Sequence, residues 1–381
     1  MKTIYKSILF VAIAGIMGLL TVSCDESEGT PFISYVRVSD PAIKDSLLVE
    51  GSQGQLVVFM GGNLQNTSEV WFNDQRASLN PFYVTNKSVM VNVPTAVPLE
   101  ITNKVKLVFS NGTPPLLYDF TVKISKPVLD YMDCEYALAG QTAVIHGTYF
   151  YLPITVTFPG GATASSEEGT VKANEDNTIL SVKVPEGATE PGQLTVASNF
   201  GTTKSNFWFL DNRNIFEGFD PHTGAGTSIS NPGPGDPPLI NGNYSRLTKT
   251  IGSWAWTEVF SWRINHNIPD DAILNPRKYN YKFEVNTIKP YNANGIRIWV
   301  TSQASNTNGK YFEWNAPPGI DTQGEWHTVV FPLENVMAKN ENIGVLDNYF
   351  FAFIFCGNGT LDCDMCFDNF RIVPKTLPGS N

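Results

Sequence analysis

Short apolar segments alternate with turn residues over almost the whole chain. After residue 30 the sequence shows no sustained helical periodicity, and runs of β-branched and aromatic residues are separated by Gly, Pro, Asn and Asp. Clear examples of such runs are residues 55–59, 89–93, 104–109, 180–184 and 193–197. This pattern is typical of β-sandwiches. We therefore predict an all-β protein, with single helical turns only near 270–274 and 333–339.

The first 23 residues have the features of a secretory signal and are excluded from the fold. Lys2 and Lys6 precede an apolar run over residues 8–22, which is shorter than the ~20 residues of a membrane span. Residues 20–24 resemble a bacterial lipobox, which implies a lipid on Cys24; an ordinary cleaved signal peptide is the alternative. The mostly acidic residues 25–28 resemble the signal that sends some Gram-negative lipoproteins to the outer face of the outer membrane.

Four blocks of sequence occur twice in the same order, at offsets of about 85–96 residues. In each copy the first block is a strand flanked by glycines, at 54–62 and 140–147, and these glycines predict tight turns at both strand ends. The blocks resemble the IPT/TIG class of immunoglobulin-like domains. The resemblance implies two small sandwiches, over 31–125 and 126–210, that act as spacers, or alternatively as an independent binding face.

Composition limits the class of partner. Only 16% of the residues are charged, compared with about 25% in an average soluble protein. The surface must therefore be covered largely by small polar residues, which suits a neutral, hydroxyl-rich partner. The net charge of −10 argues against a nucleic-acid partner, because phosphates require a basic surface.

Six of the eight tryptophans lie after residue 210, where aromatic and polar residues are mixed on strand-like segments. A flat ring matches the apolar face of a sugar, and Asn, Gln, Arg and carboxylates match its hydroxyl groups. Alternation places Arg297, Trp299 and Thr301 on one strand face, and it separates Tyr311 and Glu313 from Trp314. The candidate glycan-binding residues are Trp254, Trp256, Tyr291, Arg297, Trp299, Gln303, Tyr311, Glu313 and Trp314.

The last segment, 363–374, resembles the final strand of jelly-roll carbohydrate-binding modules. Together with the lipoprotein start and the tandem immunoglobulin-like units, the chain resembles the surface glycan-binding protein B family. The resemblance implies that 24–30 is a linker to the anchor and that 211–381 is a glycan-binding, jelly-roll-like sandwich. It also implies a β-glucan ligand (xyloglucan, mixed-linkage or β-1,3-glucan), no cofactor, and a neighbouring surface glycanase and SusC/SusD-like TonB-dependent transporter at the outer membrane.

The spacing of Cys363 and Cys366 is that of half a zinc site or of a redox pair. On a strand, however, residues three apart point to opposite faces and cannot chelate one ion without a bend. We expect these cysteines to be small buried apolar residues. A disulfide that involves Cys356, or a metal site, is the alternative.

The alternative functions are a surface glycoside hydrolase and an adhesin that binds host protein through its immunoglobulin-like domains. A glycosidase usually needs two carboxyl groups at the scissile bond. Candidates exist at Glu258, Glu284, Glu313 and Glu325, but none lies in a recognisable catalytic motif, and no G-x-S-x-G sequence is present. We therefore expect a binding protein rather than an enzyme.

Overall fold

A computed structural model describes residues 29–40, 42, 46–220, 226–265, 268–302, 309–340 and 343–377, without the side chains of 262–265. The chain divides into two compact units, Met1–Ile124 and Ser125–Asn381. Both are built from β-sheets, which are antiparallel apart from one short parallel pair in the first unit, so the predicted all-β class is confirmed. Within the described ranges, every helix is too short or too polar to cross a bilayer.

The first unit is an immunoglobulin-like sandwich. Its strands are β1 (Phe32–Val38), β2 (Glu50–Ser52), β3 (Leu56–Gly62), β4 (Thr67–Phe72), β5 (Gln75–Arg76), β6 (Ser88–Asn92), β7 (Lys104–Phe109), β8 (Leu116–Asp119) and β9 (Thr121–Lys123). Their sheet orders are β1-β3-β6 and β5-β4-β7-β8, with a separate parallel pair β2-β9. Phe59, Phe72 and Phe120 meet in the core, with ring centroids 5.9–6.0 Å apart.

The second unit begins with another immunoglobulin-like sandwich. Its strands are β10 (Val128–Met132), β11 (Thr142–Thr148), β12 (Ile154–Thr157), β13 (Thr163–Ser165), β14 (Val171–Ala173), β15 (Ile179–Lys183), β16 (Gly192–Ser198) and β17 (Gly201–Phe209). They form sheets of order β10-β11-β15-β14 and β13-β12-β16-β17. A core of alternating Val, Leu, Ile and Phe side chains fills the space between these sheets.

The first and second glycines of each repeated block are required for different structural reasons. Gly54 and Gly140 have φ of 76° and 80°, the left-handed conformation that a turn requires there. Gly61 and Gly147 instead lie within strands, where a Cβ would come 1.9 Å from a carbonyl oxygen of the neighbouring strand. The predicted turn at the second glycine is therefore wrong, since this position permits close approach at a β-bulge in the pairing with the preceding strand.

A larger sandwich completes the second unit. Its strands are β18 (Ile215–Glu217), β19 (Thr227–Ile229), β20 (Tyr244–Ile251), β21 (Thr257–Asn265), β22 (Tyr279–Thr287), β23 (Gly295–Thr301), β24 (Phe312–Asn315), β25 (Trp326–Pro332), β26 (Asn348–Phe355) and β27 (Leu361–Pro374). The short helices α1 (Asp270–Leu274) and α2 (Leu333–Val336) lie where the sequence predicts helical turns.

Two sheets form this larger sandwich. The back sheet has the order β19-β20-β27-β22-β25, with β18 also paired to β27, and the front sheet has the order β21-β26-β23-β24. Between them lies a core rich in aromatic rings. Phe283, for example, stacks on Phe370 at 4.9 Å and meets Phe353 edge-on at 5.2 Å.

The outer face of the back sheet is in contact with the second immunoglobulin-like sandwich through a buried ion network. Glu135, in the turn after β10, accepts hydrogen bonds from Lys282 at 2.5 Å and from Arg371 at 2.6 Å. Arg371 is fully buried and also donates to Glu284 at 2.7 Å. Asp211, also fully buried, lies 4.0 Å from Arg371 and is paired with Arg213 at 2.7 Å. Three acids thus face three bases in this contact, which makes the burial of their charge tolerable.

Neutral contacts surround this network. Tyr136 donates its hydroxyl hydrogen to the Asp211 carbonyl at 2.5 Å, and its ring lies 5.3 Å from the Arg371 guanidinium. The Thr328 amide donates to the Asp133 carbonyl at 2.7 Å. The two sandwiches are therefore joined by directional bonds, which fix how one lies on the other.

The cysteines of β27 face opposite sides of the back sheet, as the alternation predicts. Cys363 packs in the core between the sheets, and Cys366 packs on the outer side with Tyr136 and Trp326. Neither cysteine forms a disulfide, and Cys356 forms none either. Burial raises the pKa of the Cys363 thiol to about 12, so this group is un-ionised at neutral pH.

Removing Glu135 tests the importance of the ion network. Glu135→Ala leaves Lys282 and Arg371 buried without an acceptor from the neighbouring sandwich. We expect the free energy of unfolding to fall by roughly 3–5 kcal/mol, measured by urea unfolding with tryptophan fluorescence. The control is Lys104→Ala, which removes an exposed ion pair with Asp119 and is expected to change stability little. Equal effects of the two substitutions would contradict a structural role for the network.

Candidate functional site

Most of the predicted site residues meet on the outer face of the front sheet. In the pairing of β23 with its neighbours, Arg297 lies opposite both Ile354 and Glu313, and Trp299 lies opposite Ala352. The intervening residues Ile296, Ile298 and Val300 point into the core. The predicted division of β23 into a polar outer face and an apolar inner face is therefore correct.

Two indole rings project into solvent at one end of this face. Trp254 is 58% exposed and Trp256 is 43% exposed, and both lie in the segment that joins β20 to β21. Among the large aromatic side chains that the structure describes in this sandwich, only Trp254 and Trp256 are exposed. Exposed apolar rings on a folded surface commonly mark a binding site.

Trp256 is held in a fixed orientation. Its indole N–H donates to the Glu258 carboxylate at 2.8 Å, and its ring centroid lies 6.0 Å from that of Trp299. Trp299 in turn lies 5.0 Å from Tyr311. The three rings therefore form a continuous aromatic cluster across the front sheet.

Trp299 does not have the exposure that a stacking platform requires. The sequence predicts it as an exposed ring, but only 1% of it is exposed, because Trp256 and Tyr311 pack against it. The Trp299 side chain points outward from the sheet, as predicted. The prediction that solvent can reach its ring is wrong. In this structure Trp299 supports Trp256 from beneath.

Charged groups border the aromatic cluster. The Arg297 guanidinium lies 4.4 Å from the Tyr311 ring centroid and 3.8 Å from the Glu313 carboxylate. The Lys339 ammonium approaches the same tyrosine ring at 4.6 Å. Hydrogen-bond donors and acceptors are thus available beside a flat apolar surface, which is the combination that sugar recognition needs.

The structure corrects the assignment of Tyr291 and Trp314 to the binding surface. Tyr291 is 1% exposed, and its hydroxyl donates to the Trp314 carbonyl at 2.6 Å. Burial raises the pKa of this tyrosine well above its usual value. The Trp314 ring packs against Phe283 and Phe331 in the core, at 5.9 and 5.6 Å, because β24 does not bend enough to turn it outward. Gln303 lies outside the described residues.

Asn294 organises the loops that carry Trp254, a role that sequence reasoning missed. This side chain is 2% exposed. Its amide nitrogen donates to the carbonyls of Gly252 at 3.2 Å and Gly359 at 2.9 Å. Its amide oxygen accepts from the backbone N–H groups of Gly295 and Gly357, both at 2.9 Å. One side chain thereby joins three segments that are remote in sequence.

Trp254 depends on this arrangement. Its backbone has a φ of 60°, which is uncommon for a tryptophan, and its N–H donates to the Gly357 carbonyl at 2.6 Å. A Cβ at position 357 would come 2.2 Å from the Gly295 nitrogen, so only glycine fits there. The sequence signal was the Asn-Gly pair at 294–295, which indicates a turn but not a clamp.

The C-terminal sandwich matches a known family of glycan-binding domains. Residues 209–374 match the family described as the surface glycan-binding protein B xyloglucan binding domain. The chain resembles surface glycan-binding protein B. The resemblance predicted from the sequence is therefore confirmed, and the matching family is one of glycan-binding domains.

Solved structures named as surface glycan-binding protein B share the fold. The crystal structure of the protein from Prevotella bryantii is 22% identical, with a TM-score of 0.70 over 91% of this chain and 99% of that chain. The protein from a complex xyloglucan utilization locus in Bacteroides uniformis is 17% identical, with a TM-score of 0.51 and the same coverage. At these identities the likeness shows the fold, and it confirms the predicted sandwich architecture.

A curated relative is named for the IPT/TIG domain. An IPT/TIG domain-containing protein of Bacteroides ovatus is 29% identical over 163 residues. The match covers 39% of this chain and 33% of that protein, so the chain spans about a third of the length of this relative.

The Asn294 clamp predicts a local effect on the loops around Trp254. Asn294→Ala leaves the backbone amides of Gly295 and Gly357 without their acceptor and the Gly359 carbonyl without this donor, whereas the Gly252 carbonyl keeps the Ala255 N–H. We expect faster hydrogen exchange at Gly295 and Gly357 and a loss of roughly 1–3 kcal/mol in stability. Hydrogen-exchange mass spectrometry and urea unfolding measure the two effects.

The matched control is Asn358→Ala, since this exposed residue lies in the same loop, and the substitution removes one exposed side-chain hydrogen bond, from Ser253 at 3.3 Å, while its backbone carbonyl still accepts the Asn294 N–H. It should change stability by less than about 0.5 kcal/mol. Unchanged exchange at Gly357 in the Asn294 variant would show that the clamp does not order the loop.

Proposed function

We propose that this chain binds polysaccharide without cleaving it, through the front face of its C-terminal sandwich. The observation that carries the proposal is the pair of exposed indoles, Trp254 and Trp256, held by ordered contacts within a domain that matches a glycan-binding family. Each exposed ring offers one flat apolar surface for one sugar face, at a low cost in side-chain entropy.

The proposed ligand class is a β-glucan, with xyloglucan first. The matching family is named for xyloglucan, and mixed-linkage and β-1,3-glucans are the other candidates. In β-1,4-linked glucosyl units the substituents are equatorial, so both faces of each ring present C–H groups to an aromatic platform. Arg297 and Glu313 lie at the border of the aromatic cluster, where they are placed to bond sugar hydroxyl groups.

A glycoside hydrolase acting on the same glycan is the alternative, and one experiment separates the two. The purified chain is incubated with xyloglucan, mixed-linkage glucan and β-1,3-glucan, then analysed by affinity electrophoresis and a reducing-end assay. Retarded migration without new reducing ends supports binding. New reducing ends would contradict a non-catalytic role, and no retardation with any of the three would contradict the ligand class.

Alanine substitution of the exposed rings tests the assignment of the site. Stacking is worth about 1–3 kcal/mol per ring by the scale known for nucleobases. Trp254→Ala and Trp256→Ala should therefore each weaken glycan affinity by roughly 5- to 150-fold. Isothermal titration calorimetry with a xyloglucan oligosaccharide measures the change.

Phe82→Ala is the matched control, because Phe82 is an aromatic side chain that is 92% exposed in the first unit. It should leave affinity unchanged. The site assignment is wrong if both tryptophan variants, with native circular dichroism spectra, bind as tightly as the parent.

The matching family is one of cell-surface proteins. We propose in addition that lipid on Cys24 anchors the chain in the outer membrane. In the first unit, the start of β1 pairs with the end of β3, whereas β9 pairs with β2 near the start of β3. The chain thus enters and leaves this sandwich at opposite ends, which suits a spacer between the anchor and the binding domain.

In this position the chain would capture glycan for neighbouring proteins. The proposed partners are a surface glycanase and a SusC/SusD-like TonB-dependent transporter. Single-site binding by two rings is modest, and many tethered copies on one membrane raise the avidity for a long polymer.

The anchor is tested by Cys24→Ala in the full-length precursor. Without the thiol no lipid can be attached, so the protein should move from the membrane fraction to the soluble fraction. Immunoblotting of fractionated cells, with surface protease digestion, measures this change. Continued membrane association of the variant would contradict lipid anchoring, and Cys356→Ala should leave the location unchanged.

A further inference from the structure

The first unit exposes aromatic side chains at one end of its sandwich. Phe82 is 92% exposed, and Phe32 and Tyr83 are each 51% exposed. The proposed glycan site uses none of them. Single exposed apolar residues are common on folded proteins, but several at one end of a domain indicate a surface that another apolar surface covers.

The strand pairing brings these three side chains to the same end. Phe32 begins β1 and lies opposite Gly62, the last residue of β3. The segment after Tyr83 returns to this place, since the Gly61 N–H donates to the Lys87 carbonyl at 2.9 Å. This entry end, where the chain enters the sandwich, comprises residues 29–33, 61–68, 78–88 and 109–115.

An ordered turn presents Phe82 to solvent. Pro81–Tyr83 form a single 3-10 turn, and the Asn80 side chain accepts the Phe82 N–H at 3.0 Å. The Asn80 carbonyl accepts the Tyr83 N–H at 2.9 Å. The backbone of this turn therefore holds the Phe82 side chain away from the core.

Charge distinguishes the entry end from the opposite end of the sandwich. Among the described residues of the entry end there is no Asp or Glu, and Lys87 is the one charged side chain. The opposite end carries Asp74 in the turn after β4, Glu100 beside it, and Asp119 at the end of β8. The chain has 36 acidic residues, so their absence around Phe82 suits contact with an apolar phase, where a carboxylate is costly.

The chain that leads to the entry end is short. The Thr30 carbonyl accepts a hydrogen bond from the Asn63 side-chain amide at 3.3 Å, which joins the incoming chain to the sandwich. The residues from 25 to 30 span at most about 22 Å when they are fully extended. A lipid on Cys24 therefore keeps the entry end close to the bilayer, and at such a range even a weak contact is populated.

We propose that the entry end rests on the lipid bilayer, with the Phe82 ring inserted below the headgroups and Phe32 and Tyr83 at headgroup level. Aromatic side chains favour this border between water and hydrocarbon. The contact is apolar rather than electrostatic, because the mostly acidic residues 25–28 oppose attraction to anionic lipids.

This inference rests on the proposed lipid at Cys24 and adds a second point of membrane contact. A lipid on a linker leaves the sandwich free to tilt in any direction. Insertion of Phe82 restricts that tilt, so the end at which the chain leaves the first unit points away from the membrane.

The test supplies the anchor chemically, so it does not depend on whether cells attach a lipid to Cys24. The mature chain is alkylated at this thiol with one chain of myristoyl length, which alone gives only marginal and reversible membrane binding. The four other cysteines are buried or half-buried. Mass spectrometry checks that one thiol has reacted.

The first measurement is partitioning into phosphatidylcholine vesicles, by co-sedimentation. Phe82→Ala should weaken partitioning by roughly 10-fold, the lower bound for transferring a phenylalanine side chain out of water. Leu99→Ala is the matched control, because Leu99 is 95% exposed at the opposite end. It should partition as the parent does.

The second measurement locates the side chain. Brominated lipids quench the fluorescence of an indole that enters the bilayer. Phe82→Trp on brominated vesicles should therefore lose more emission than the parent, whereas Leu99→Trp should not. Both positions are exposed, so the variants are expected to keep the circular dichroism spectrum of the parent.

The proposal is overturned if Phe82→Ala partitions as tightly as the parent, or if bromine quenches Phe82→Trp no more than Leu99→Trp. Equal partitioning, together with loss of a cross-linked membrane protein from cells that carry Phe82→Ala, would assign the entry end to a protein neighbour instead. A failure of lipid anchoring in cells would show only in the Cys24→Ala fractionation, so the two proposals fail separately.

Discussion

The bond network around Arg371 determines which surface of the C-terminal sandwich is available. Glu135 from the second immunoglobulin-like sandwich lies between Lys282 and Arg371 on the back sheet. Its carboxylate accepts hydrogen bonds from both of these cations. Buried ion pairs of this kind are often no more stabilising than apolar contacts of the same volume. Their directional bonds restrict how one sandwich is placed on the other. Since the back sheet is occupied, the front sheet remains to meet a ligand.

The outer face of the front sheet carries two layers of aromatic side chains that suit a sugar ligand. Trp256 lies in the upper layer and is exposed, whereas Trp299 lies beneath it and is buried. The lower layer limits the motion of the upper one, so less entropy is lost when a sugar stacks on it. Asn294 gives Trp254 the same kind of support through backbone contacts. A ring packed on a buried ring, beside a second ring on an ordered backbone, can therefore bind a flexible polymer without a deep pocket.

Local sequence patterns predicted the fold and the direction of most site residues. Period-two alternation correctly assigned Arg297 and Trp299 to the outer face of β23, and it placed Trp314 with Phe312 on the inner face. The repeated blocks predicted two similar small sandwiches. These features depend on neighbours within one strand or one turn, which is the range over which sequence patterns carry information.

The features that sequence analysis missed depend on contacts between remote segments. Trp299 is buried by Trp256, 43 positions away in the numbering, and alternation gives direction without exposure. The clamp by Asn294 reaches loops on both sides of it in sequence, and Glu135 meets Arg371 across 236 positions. No sequence motif identifies such partners, because each of these residues is of a type that is common in its local sequence context.

The most direct test of the account is a crystal structure of the chain with a bound xyloglucan oligosaccharide. The account predicts glucosyl rings stacked on Trp254 and Trp256, with Arg297 or Glu313 bonded to their hydroxyl groups and the back sheet still covered. An oligosaccharide bound instead on the back sheet, or on an immunoglobulin-like sandwich with the two indoles free, would contradict it.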